Sequence, residues 1–110
     1  MSRILIVEPH PDTRSLLELV FRRCGHEAVV YTGLTGEEAG IDLAVIEPGE
    51  GLALPVARRL RDAGVPLLFI SIFAPDDSAL ELGPLAYLVK PFPLSTLEAA
   101  VDLAVAGAAA

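Results

Sequence analysis

The chain has 110 residues, 53% of them hydrophobic, and a formal net charge of −7. That length and apolar content suit one packed domain over residues 1–110 and exclude a disordered chain or two separate cores. The acidic balance excludes the basic stripe of a nucleic-acid backbone binder, so neither DNA nor RNA is an expected partner.

In chain order, the first apolar run is ILIV (4–7), closed by Glu8 and Pro9; it is too short for a signal peptide or a membrane span. Asp12 is placed to cap a helix running to Cys24, with Gly25 as its terminator. Leu16, Leu17, Val20, Phe21 and Cys24 form its inward stripe, and Arg14, Glu18 and Arg22 face water. Cys24, the only cysteine, excludes a disulfide framework; it reads as a small buried hydrophobe of a cytoplasmic protein. AVVY (28–31) is a weaker strand. The segment TGLTGEEAGI (32–41) carries three glycines and is short for a parallel crossover, leaving at most one helical turn at 37–39.

LAVI (43–46) is the next strand, closed by Glu47 and Pro48. Pro55 suits the first turn of a helix whose Val56, Ala57, Leu60 and Ala63 face inward, with Gly64 as its stop. PLLFISI (66–72) is a third strong strand and contains Ser71; DDSALEL (76–82) is a short helix; AYLV (86–89) precedes Lys90. Ser95 and Glu98 have capping-box spacing and open a last helix.

The strong runs lack alternation, as strands buried on both faces do, and they alternate with helices. Together these imply a doubly wound α/β fold with a parallel sheet. Ligands of such sheets bind beyond the carboxyl ends of the strands, and there four strand ends supply Glu8, Glu47, Ser71 and Lys90.

This constellation resembles the receiver domain of bacterial response regulators, over essentially the whole chain. YLVKPF (87–92) is similar to the family's last strand, lysine and proline; ILIVEPHPDTRSLL (4–17) to its first strand, acidic loop and first helix; GVPLLFIS (64–71) to its fourth strand. The stretch LALPVARRLRDAGVPLLF (52–69) resembles the short, single-domain receivers common in alphaproteobacteria. The resemblance implies a flavodoxin-like, five-stranded parallel sheet of order 2-1-3-4-5. It also implies an aspartate that accepts a phosphoryl group from a kinase histidine beside an acid-held Mg²⁺. By that resemblance Glu47 stands at the phosphoacceptor position, Glu8 and Pro9 at the acidic pair, Ser71 and Lys90 in the phosphate pocket, and Tyr87 at the switch aromatic.

Three positions depart from the family's chemistry. Glu47 is one methylene longer than the aspartate, and in-line transfer is sensitive to misplacement of about 1 Å. Pro9 offers no carboxylate to a metal that wants near-octahedral oxygens. Ile72 follows Ser71 where the family keeps a small residue. The expectation is a degenerate receiver: not phosphorylated, not an enzyme, with Mg²⁺ binding lost and no cofactor. In it Lys90 would pair with Glu47, helped by Ser71. Other readings of these residues are a solvated Glu47, a metal held by Glu8 and Glu47, and Tyr87 as plain edge packing.

With the second helix reduced or absent, the sheet near the first and third strands is expected to be under-covered, or the second strand absent or exchanged between chains. The apolar last helix adds to the case for a homodimer. The leading function is a stand-alone receiver in two-component signalling that binds a protein partner, a histidine kinase or another regulator, with no membrane partner. A working phosphoacceptor with unusual acids is the alternative. A flavodoxin-like nucleotide binder has less support, since EPHPDT stands where a Gly-rich loop would be.

Overall fold

Buried β-branched and leucine runs leave the chain little choice but a covered parallel sheet, and the computed structural model, which describes residues 2–33, 40–49, 51 and 53–109, has one. The elements are β1 (Arg3–Val7), α1 (Pro11–Arg23), β2 (Glu27–Val30), β3 (Leu43–Ile46), α2 (Ala53–Asp62), β4 (Leu67–Ser71), α3 (Asp77–Leu80), β5 (Ala86–Val89) and α4 (Leu94–Ala109). All five strands are parallel in the order β2-β1-β3-β4-β5, as the resemblance implied.

The two faces of the sheet explain the missing alternation. Ile4, Ile6, Leu43, Val45, Leu68 and Ile70 pack with Leu17, Val20 and Phe21 of α1 and with Leu97, Val101 and Ala104 of α4. Leu5, Val7, Ala44, Ile46, Leu67 and Phe69 pack with Ala53, Val56, Ala57 and Leu60 of α2, and with Ala79 and Leu82. Each central strand therefore buries both sets of side chains.

Several local expectations are corrected. Asp12 is not the cap of α1: the helix begins at Pro11, whose missing N–H and fixed φ suit the first position, and Asp12 lies in the first turn. The inward stripe is narrower than its spacing suggests, since Leu16 and Cys24 are exposed. Partial desolvation, with Glu98 and Asp102 nearby, pushes the Cys24 thiol pKa up, which disfavours the reactive thiolate. Ser95 lies inside the first turn of α4, whose first bonds go to the carbonyl of Pro93. Ala63 is exposed, whereas Gly25 and Gly64 end their helices with φ of 87° and 85°.

The second strand is neither absent nor exchanged: residues Arg3 to Ile6 of β1 pair with Glu27 to Val30 of the same chain. The proposed turn at 37–39 lies outside the described residues, as does most of the segment where the second helix was expected to be reduced. The expected bare patch at β1 and β3 is also corrected, because Leu5, Val7, Ala44 and Ile46 are all buried. The helix expected to be short at DDSALEL is so: α3 has only four residues. The helix phase can be tested with neighbours: Leu17→Ala should cost roughly 2–5 kcal/mol in urea unfolding. Leu19→Ala, two residues on but exposed, should stay within about 0.5 kcal/mol.

Candidate functional site at the strand ends

Parallel pairing carries the chain just past each strand into one rim. The amide of Glu47 donates to the carbonyl of Val7 at 2.9 Å and that of Lys90 to the carbonyl of Ser71 at 2.7 Å, so the ladder itself fixes where these side chains start. Glu8 and Glu47 are 4% and 2% exposed, which removes the reading of Glu47 as a solvated strand-end residue. The Nζ of Lys90 donates to Oε1 of Glu8 at 2.6 Å and lies 3.4 Å from Oε2 of Glu47. The expected Lys90–Glu47 pair is thus a three-membered cluster in which Glu8 is the closer partner. One ammonium between two carboxylates offsets their repulsion, which would be about 4 kcal/mol for charges ~4 Å apart at an effective dielectric near 20.

The remaining polar atoms go to local turns. Oε1 of Glu47 accepts from the amide of Gly49 at 3.0 Å, so the glutamate bends back over its own Pro48–Gly49 turn. Gly49 has to be small: a Cβ there would meet Oε1 of Glu47 and the Phe73 ring, each at 3.1 Å. The Ser71 hydroxyl does not reach Glu47 but accepts from the amide of Phe73 at 3.1 Å. Tyr87 donates its hydroxyl to the carbonyl of Phe73 at 3.0 Å and sets its ring edge-on to Phe69, with centroids 6.2 Å apart. His10 places Nδ1 3.5 Å from Oε2 of Glu8.

The structure therefore gathers Glu8, Glu47 and Lys90, and holds Ser71 and Tyr87 on either side of Phe73. Pro9 is exposed on the lip of an open cleft of 460 Å³ that Glu8, Glu47, Arg14 and Tyr31 also line. A second cavity, 200 Å³, lies past the Gly49 turn among Ser71, Phe73, Asp76 and Tyr87. Ile72 is turned outward and lines neither, so its bulk does not close the pocket as its position suggested. Phe73 and Gly49 were missed. A glycine two residues after a strand-end acid was a readable hint of close approach, whereas nothing marked Phe73 apart from other loop aromatics.

As a Mg²⁺ site the donor set fits poorly. Pro9 contributes no oxygen, Lys90 engages both glutamates, and no group of three His, Cys, Asp or Glu side chains with metal-binding placement occurs among the described residues. Removing the ammonium should be costly: Lys90→Met leaves two buried carboxylates facing each other and should lower stability by roughly 3–5 kcal/mol in urea unfolding. Adding Glu47→Gln to that variant should return more than half of the loss.

No protein-family model matches the sequence. The chain is 36% identical over 111 residues to the transcriptional activator protein PfeR of Pseudomonas aeruginosa, a match covering 91% of this chain and 36% of that protein. It is 32% identical over 118 residues to the transcriptional regulatory protein PdtaR of Mycobacterium tuberculosis, covering 94% of this chain and 56% of that one. The chain thus spans between a third and somewhat over half of the curated relatives it matches. Among solved structures, a response regulator from Thermotoga maritima superposes with a TM-score of 0.80 at 19% identity, covering 96% of this chain and 98% of the other. The signal receiver domain of a modulated diguanylate cyclase from Desulfovibrio desulfuricans G20 does so with a TM-score of 0.79 at 24% identity, covering 98% and 96%. In sheet order and helix placement the chain has the fold of the response-regulator receiver domains it superposes on.

Proposed function

We propose that this domain works in two-component signalling as a receiver held in one state, acting through contact with a protein partner, a histidine kinase or another regulator, rather than through phosphoryl transfer. The observation that carries the reading is the Glu8–Lys90–Glu47 cluster. The lysine and the acid that would handle a phosphoryl group are already bonded to each other, and Glu47 is further tied to Gly49. Glu47 would stand in for part of a phosphorylated aspartate, with Ser71 and Lys90 at the pocket positions and Tyr87 anchoring the adjoining loop. Without a third acid beside Glu8, Mg²⁺ binding would be lost, and no cofactor or enzymatic step is needed.

The relatives' names point to transcriptional control, but they describe proteins that this chain matches only in part. The net charge of −7 supports a protein rather than a nucleic-acid partner for this domain. No helix among the described residues is long and apolar enough to cross a membrane; a cytoplasmic setting, in keeping with the lone Cys24, is part of the proposal.

A homodimer is a second reading, favoured by the face that α1 and α4 share. Leu16 and Leu19 of α1 and Leu103 of α4 are exposed. Arg23 on α1 and Glu98 and Asp102 on α4 act on the Cys24 thiol, so charges of both signs act near it. Both signs of charge on one patch allow it to pair with itself about a two-fold axis.

Three measurements address these readings. Incubation with acetyl phosphate and Mg²⁺ should give no mass increase, and an acid-labile phosphoryl adduct on Glu47 would overturn the fixed-state reading. Glu47→Asp combined with Pro9→Asp should create Mg²⁺ binding detectable by calorimetry. Sedimentation equilibrium should show a concentration-dependent dimer that Leu103→Glu abolishes; a monomer at the highest concentration sinks the dimer.

A further inference from the structure

The open cleft of 460 Å³ beside the glutamate cluster has the size of a small-molecule site, and a receiver that works by protein contact leaves it without an occupant. It lies on the α2 side of the sheet. Val7, Ala53 and Val56, all from the core cluster on that side, give it apolar walls, and the ring of Tyr31 packs against the same cluster. Among the described residues neither Ser71 nor Lys90 lines it, so it is separate from the positions that would handle a phosphoryl group.

Its polar groups differ in access. Glu8 and Glu47 border the cleft, but their side chains are 0% and 2% exposed, and both are already held by Lys90. They form a closed, charge-compensated end. Arg14 and Tyr31 are the polar side chains that remain open to an occupant. Both are half-buried, and neither the guanidinium nor the phenol hydroxyl has a hydrogen-bond or ion-pair partner among the described residues. A cation held against an apolar cavity is screened less than one in open solvent, and it attracts a counter-charge more strongly.

We propose that this cleft binds a small organic anion, with an apolar ring-sized body against Val7, Ala53 and Val56 and a single carboxylate or sulfonate on Arg14. The guanidinium fork matches such a group with two donors, and the Tyr31 hydroxyl supplies a third. An amine or a metal cation is the wrong class, because the carboxylates that would receive it are shut behind Lys90. A polyphosphate is also the wrong class, since Arg14 is the only cation lining the cleft among the described residues. The proposal does not rest on the fixed-state reading: a phosphoryl adduct on Glu47 would end that reading without deciding which small molecule Arg14 selects.

The test uses the whole, isotopically labelled chain and three compounds that share one ring system: naphthylacetate, naphthylacetamide and naphthylmethylammonium. The anion should give saturable shifts at the amides of Val7, Arg14, Tyr31 and Val56, and should bind about tenfold more tightly than the neutral amide. The cation should bind most weakly, although a net charge of −7 favours cations over the molecule as a whole. Arg14→Gln, a half-exposed helix position checked for unchanged dispersion of the other amides, should bring the anion down to the level of the neutral compound. Arg14→Glu should reverse the order of anion and cation. The proposal is overturned by stronger binding of the cation to the unaltered chain, by equal binding of anion and neutral compound, or by indifference to Arg14→Gln. Shifts centred on the exposed Leu16 and Leu19 instead, or no saturable shift at millimolar naphthylacetate, would also overturn it.

Discussion

The ammonium of Lys90 is the constraint on which the rim of this domain depends. It sits between two carboxylates that the sheet cannot move apart, because Glu8 and Glu47 follow neighbouring strands in fixed register. Burying either glutamate alone would carry a desolvation cost of several kcal/mol, and attraction to a shared cation is the available compensation. Since Lys90 follows β5 while the acids follow β1 and β3, one side chain links the ends of strands that are not adjacent. The same contact that makes the buried acids tolerable also holds the rim in one arrangement.

The extra methylene of Glu47 matters through where it lets the carboxylate go. It reaches forward to Lys90 and back to the Gly49 amide, so one side chain closes the turn and joins the cluster. A turn residue larger than glycine would push on that carboxylate or on Phe73. Phe73 is in turn held at its amide by Ser71 and at its carbonyl by Tyr87. Serine and tyrosine thus serve here as anchors for a loop backbone. Any motion of Tyr87 would have to break a hydrogen bond that the sheet-bound ring of Phe69 helps to orient.

Much of this was legible in the sequence because burial on two faces leaves a crude signature. The runs ILIV, LAVI and PLLFIS could not alternate, and their ends had to meet. The wrong details share a different cause: they depend on the exact start of an element, or on what covers it. Asp12 and Ser95 were credible caps by residue type, but a proline at position 11 and the carbonyl of Pro93 decided the starts. Ile72 faced outward once Ser71 was fixed as inward, a consequence of strand phase that a side-by-side family comparison overlooks. The bare side of the sheet was placed near β1 and β3 because a short loop was read as missing cover, whereas the shortness of α3 was legible in DDSALEL. The roles of Glu47 and Tyr87 rest on distances that no spacing rule contains.

Charge is also divided along the chain. Apart from Lys90, every cation is an arginine at or before Arg61, while beyond Asp62 the other charged side chains are acids. In the folded sheet α3 therefore carries only acidic charge and β5 carries none. The backbone of Phe73 is clamped by Ser71 and Tyr87 at the rim, and its ring is exposed.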